Sequence, residues 1–174
     1  MNQVDILVRQ TEDAYNWTNK LLHSIPHEKW DNMPAVIEST VNWQVGHLIV
    51  SSYYNTVMVL VGHHKDVFPV VPLQQYDKLF TNADPKDSVG KVNSRELQSQ
   101  FVFLQKKSIS VISSLTPEDL VNPLEPTSIP HPVAKTKFEA IDWNIKHAMW
   151  HCGQLGLLKR IVDQRYDFGL RRGE

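Results

Sequence analysis

With 174 residues and a formal charge of −1 at neutral pH, the chain has the length of one domain able to bury a core unaided. It lacks the basic excess of a phosphate-tracking protein, so nucleic acid is not an expected partner. Eight histidines against a single cysteine, Cys152, exclude an internal disulfide and argue against thiolate zinc modules and secreted scaffolds. A reducing cytoplasm is the expected compartment.

The opening MNQVDILVRQTEDAYNW has early acidic residues and no uninterrupted apolar stretch. It therefore reads as mature sequence, neither signal peptide nor anchor. Helical periodicity follows over Gln3 to Ser24, where Leu7, Ala14, Trp17, Leu21 and Leu22 recur at three- and four-residue intervals, and Pro26 ends it. A second helix is predicted from an N-cap at Thr40 to a stop at Gly62, with Trp43, His47, Val50, Tyr54 and Val57 along one inward stripe. Its apolar run from Val45 to Val61 is interrupted by His47, Ser51, Ser52, Asn55 and Thr56. That is too polar for a lipid-facing span of about 20 residues, so no membrane association is expected.

Residues 63 to 92, with Pro69, Pro72 and Pro85, form a connection longer than bundle turns require and suit a crossover or a cover over a site. A third helix starts at Asn93, with Glu96 placed for a capping box, and shows Leu97, Phe101, Leu104, Ser108, Val111 and Leu115 in heptad register. Thr116 and Pro117 begin a separate short turn, and a second proline-rich connection leads to a fourth helix from about Lys137 to Asp163. The apolar seam of that helix is Ile141, Ile145, Ala148, Cys152 and Leu155. No strand pattern, repeat or second domain is evident. The expected architecture is all-α: one domain over residues 1–174, a four-helix bundle with long crossover connections.

Beside the apolar seam of the fourth helix runs a polar stripe of Asn144, His147, His151 and Gln154, continued by Leu158. A helix in a bundle buries a face wider than one seam, so this stripe needs partners. His147 and His151 lie about 6 Å apart along the axis, close enough to converge on one metal ion at about 2.0 to 2.1 Å. His47 is placed to approach from across the core as a third ligand. Three neutral nitrogens suit zinc first and nickel second, with cobalt and iron(II) also compatible, whereas calcium and magnesium prefer oxygen.

One pair at four-residue spacing arises easily by chance, and His23 and His27 form a second such pair that Pro26 separates. The adjacent His63 and His64 read as surface or loop residues, with His63 a lesser candidate for the rim. His131, between Pro130 and Pro132, is expected to be exposed. Cys152 should face the apolar seam as a small hydrophobe. Trp43 and Tyr54 read first as packing residues, while Asn144, Gln154 and Tyr54 are candidates for contacts behind the ligands or with substrate. The residue after His147 is Ala148, so the general-base glutamate of HExxH proteases is missing, and no GxSxG, phosphate-loop, dinucleotide or paired ExxH signature is present.

With NWQVGHL around His47 and HAMWHCGQL on the last helix, the chain resembles the DinB-like superfamily over nearly its whole length. The GQ after His151 is the most specific part of that likeness. The resemblance implies a four-helix bundle whose divalent metal is held by three histidines, carried over here to His47, His147 and His151. It also implies a reaction class, because the family includes transferases and isomerases that use bacillithiol, mycothiol or glutathione. The leading expectation is a metal-dependent thiol S-transferase acting on a small electrophile, with a low-molecular-weight thiol as co-substrate. A metal-dependent hydrolase, a non-catalytic metal-binding or stress-associated bundle and a metal-free interaction module remain as alternatives. A homodimer is a further expectation from the family.

Overall fold

The computed structural model describes residues 1–169; the last five residues of the expected 1–174 domain lie outside the described residues. Helix α1 spans Gln3–His23 and opens with a capping box, in which Asn2 and Asp5 exchange side-chain to backbone bonds of 2.9 Å. Helix α2 spans Val41–Tyr53, and the Thr40 hydroxyl accepts the Trp43 N–H at its start. Helix α3, Leu73–Phe80, lies in the connection read from sequence as a crossover or a cover over a site. Helix α4 spans Ser94–Ser113 and helix α5 Lys137–Val162. The Asn93 cap accepts from the Arg95 and Glu96 backbones, but Glu96 does not complete the expected box: its carboxylate accepts from Gln100. A full box stands instead at Thr136 and Glu139.

The bundle is a ring in which α1 packs on α5 and α4, and α2 packs on α4 and α5. Directions follow from paired residues. Asn19 bonds Gln105 and His27 bonds Gln98, so α1 and α4 are antiparallel. Asn42 reaches the Val92 carbonyl and Thr56 meets Ser108, so α2 and α4 are parallel neighbours. Parallel neighbours require the chain to travel back along the bundle between them, which explains the length of the segment from 62 to 93. Gln44 bonds Gln154 while His47 meets His147, so α2 and α5 are antiparallel. Among the described residues no strand forms beyond an isolated bridge between Pro123 and Thr136, and no helix is long and apolar enough to cross a membrane.

Helix α2 does not run uninterrupted to Gly62 as the sequence suggests. Residues Tyr54–Met58 form a π turn, followed by one α turn, Val59–Val61, that ends at Gly62 with φ 82°. The wide turn brings Thr56 Oγ1 within 2.6 Å of both the Ser52 carbonyl and Ser108 Oγ on α4. It also buries Asn55, whose Oδ1 accepts from His131 Nε2 at 2.9 Å. His131 is thus not the exposed loop residue its flanking prolines suggest. It is half-buried, its Nδ1 accepts the Val133 and Ala134 N–H groups, and Tyr54 stacks on it with centroids 5.4 Å apart.

One close approach fixes α3 against α2. A Cβ at Gly46 would stand 2.3 Å from the Phe80 ring, so the ring lies directly on the α2 backbone. The far end of α5 is held by Asp163, which pairs with Lys29 at 2.7 Å and with the buried Lys159.

Gly46→Ala is expected to lower stability by about 1 to 3 kcal/mol, as overpacking does, read as a lower urea midpoint at unchanged m-value. The Lys159 and Lys29 hydrogen bonds hold the Asp163 carboxyl down at about 2. Its folded pKa lies below the unfolded value of about 3.9, so this contribution is complete above that value and lost as pH falls through about 2. The stability advantage of the wild type over Asp163→Asn should therefore hold steady above about pH 5 and shrink between about pH 4 and 2. Urea titrations across that range check it.

Candidate metal centre

His47 sits in the middle of α2, and its ring position is set from behind. Phe80 ends α3, so its carbonyl has no intrahelical partner, and it accepts the His47 Nδ1–H at 2.8 Å. The close contact at Gly46 delivers that carbonyl. With Nδ1 carrying the proton, the Nε2 lone pair of His47 points into the bundle toward α5.

His147 and His151, one turn apart on α5, meet it there. His147 Nε2 lies 3.3 Å from His47 Nε2 and 3.2 Å from His151 Nε2. The three residues offer one nitrogen each, all within 4.8 Å of one another. Two ligand arms of about 2.0 to 2.1 Å at the tetrahedral angle end about 3.3 Å apart, so these separations match two edges of a tetrahedral site. The cluster therefore fits a divalent transition metal held by three neutral nitrogens.

His151 is oriented as firmly as His47. Its Nδ1–H donates to Gln44 Oε1 in a short bond. The Gln44 amide is itself turned by two bonds, its Nε2 donating to Ser39 Oγ and to Gln154 Oε1, each at 2.9 Å. With the nitrogen end engaged, the oxygen end faces His151, and the imidazole keeps its Nε2 lone pair for the cluster. Gln44 is buried and Gln154 exposed, so the relay runs from the surface of α5 into the core of α2.

Burial holds all three imidazoles neutral. Burial and then the facing His47 lower His147 to about 4. Burial, His147 and His47 together lower His151 to about 3. His47 is lowered by burial against the opposing pull of the Phe80 carbonyl. No carboxylate, lysine or arginine is among the groups that shift them. At neutral pH all three rings are therefore uncharged, and His47 and His151 each turn an Nε2 lone pair toward the cluster without a competing proton.

The other candidates from the sequence are placed elsewhere. Asn144, from the same stripe, donates to Tyr15 Oη on α1 at 3.2 Å. Tyr54 donates to the Ile129 carbonyl and braces the loop before α5. His23 bonds the Asn19 carbonyl, His27 bonds Gln98 and His63 meets the Tyr53 hydroxyl, so none of them joins the cluster. Cys152 is buried where α5 faces α1, and burial pushes its thiol up despite a bond with Thr18. Two contributors were not read from sequence. Gln44 had a usable signal, a polar side chain three residues before His47. The Phe80 carbonyl had none, because it is backbone.

A family model described as the DinB superfamily matches residues 10–155, a span that holds all three histidines together with Gln44 and Gln154. No curated protein matches the chain.

Gln44→Leu should keep the fold and weaken zinc affinity by about 10- to 100-fold, because the ring it orients is freed. Gln44→Glu, which restores the acceptor, should recover most of that loss. Competition titration against a chromogenic chelator measures both.

Proposed function

This chain belongs to the DinB superfamily, and we propose on that basis that His47, His147 and His151 hold one divalent metal and that the protein is a thiol S-transferase acting on small electrophiles. The observation that carries the reading is the convergence of three Nε2 atoms, two of them with their lone pairs fixed by Nδ1 bonds to Phe80 and Gln44. Zinc is the proposed metal and nickel the second choice, since the donor set is all imidazole. When bound, such an ion supplies Lewis acidity that holds a thiol in its thiolate form at neutral pH.

The reaction proposed is conjugation. A carbon–sulfur bond forms between the thiol and the electrophilic carbon, the leaving group departs with its electron pair, and the thiol proton passes to solvent. His47, His147 and His151 contribute no formal charge, so an anionic ligand is the natural complement of a dication here. A thiolate meets that need with little help, because a free thiol already ionises near pH 8.5. Hydrolysis is the less favoured variant. It profits from a side chain that protonates the leaving group, and apart from the histidines themselves no ionisable side chain is among the groups that shift the three imidazoles.

Protein purified without a histidine tag should carry about one metal per chain, and His147→Ala and His151→Ala should carry far less. Equal metal content in all three would overturn the metal assignment. Metal-loaded wild type, assayed with glutathione, bacillithiol or mycothiol and a chromogenic electrophile, should conjugate at least about a hundredfold faster than His47→Ala. Equal rates would instead favour a bundle in which the ion has a structural role.

A further inference from the structure

The histidine cluster is walled by indoles. Trp43, one turn before His47 on α2, lies parallel to it with centroids 5.1 Å apart and planes 10° apart. Trp143, one turn before His147 on α5, stacks on that ring at 6.0 Å and 22°. The wall then continues outward. Trp150 meets Trp143 edge-on at 5.2 Å and 82°, and it is 59% exposed. A side chain this large is normally buried; here its placement comes from another indole and much of its surface stays in water.

Charge at the same place is low. The groups that shift the three imidazoles include no charged side chain. The nearest charges along α5, Lys146 and Asp142, are paired with each other at 2.5 Å. Paired in this way, neither offers an uncompensated charge to a second substrate. What the wall offers is flat π surface stepping from the solvent to His147.

We propose that the electrophile taken at this site is a neutral, flat, π-rich molecule that lays its ring against Trp150 and Trp143 with its reacting carbon toward the histidine cluster. This rests on the S-transferase reading for its chemistry, but the binding surface does not depend on turnover. With an aryl halide the thiol sulfur bonds to the ring carbon, chloride leaves with its electron pair, and the thiol proton goes to solvent. A neutral aliphatic electrophile finds the same cluster but gains nothing from the indoles.

The test uses the metal-loaded protein and the variants Trp150→Ala and Trp150→Phe. Binding of unreactive 2,4-dinitrotoluene is measured by calorimetry without thiol, and KM is compared for 1-chloro-2,4-dinitrobenzene and iodoacetamide with thiol present. Loss of one aromatic contact should weaken dinitrotoluene binding by about five- to tenfold in Trp150→Ala, with recovery in Trp150→Phe. The ratio of aryl to aliphatic KM should rise by a similar factor. Unchanged binding and an unchanged ratio in Trp150→Ala would overturn the proposal. So would sedimentation showing that Trp150→Ala turns a dimer into a monomer, because Trp150 would then be covered by a second copy. Aromatic binding that is lost in Trp150→Ala, with no thiol transfer from either electrophile in the wild type, would sink the transferase reading and leave the aromatic site standing.

Discussion

Three imidazole nitrogens gathered within 4.8 Å of one another, with His147 Nε2 standing 3.3 Å from His47 and 3.2 Å from His151, suit a positive centre among them, and the bundle is built to hold them there. The work falls to bonds on the far nitrogens: the Phe80 carbonyl behind His47 and the Gln44 amide behind His151. Each fixes a tautomer as well as an angle. His147, between the two, needs no such bond to find its place, because it stands one turn from His151 with Trp143 stacked on its face.

That requirement reaches back into the topology. The Phe80 carbonyl is available because it ends a helix, and the helix exists because α2 and α4 run parallel and the chain must return along the bundle between them. Gly46 lets the returning helix approach within ring contact of the α2 backbone. A larger residue there would move the carbonyl and the imidazole together. A connection that reads in the sequence as a crossover or cover is therefore part of the histidine cluster, supplying the backbone acceptor behind His47.

The four long helices were legible because periodicity and caps agree: Thr40 before α2, Asn93 before α4 and the seam from Ile141 to Leu155 on α5. The three histidines that converge were legible from spacing and face. What escaped has physical causes. Helix α3 is eight residues long and lies among prolines, too short for its period to stand out. The π turn adds one residue to a turn without changing composition, so no pattern in α2 announces it. His131 looks like a loop residue between two prolines, yet its ring is engaged at both nitrogens by groups distant or invisible in sequence. Asn144 meets a neighbour that its stripe does not announce. It lies about 60° around α5 from His147, enough to turn it from α2 to Tyr15 on α1.

The electrostatic character of the cluster bears on what chemistry suits it. Metal sites that cleave with water commonly set a carboxylate beside the ion, which neutralises charge and moves protons. Here the ring around the imidazoles is amide, carbonyl and indole: Gln44, Phe80, Trp43 and Trp143. Such a ring can orient ligands and exclude water but cannot shuttle protons at neutral pH. It suits a reaction whose nucleophile needs only a modest lowering of pKa and whose leaving group departs as a stable anion. Sulfur attack on an activated carbon meets both conditions, and the indole wall that leads from Trp150 to His147 gives an uncharged partner an apolar surface beside the cluster.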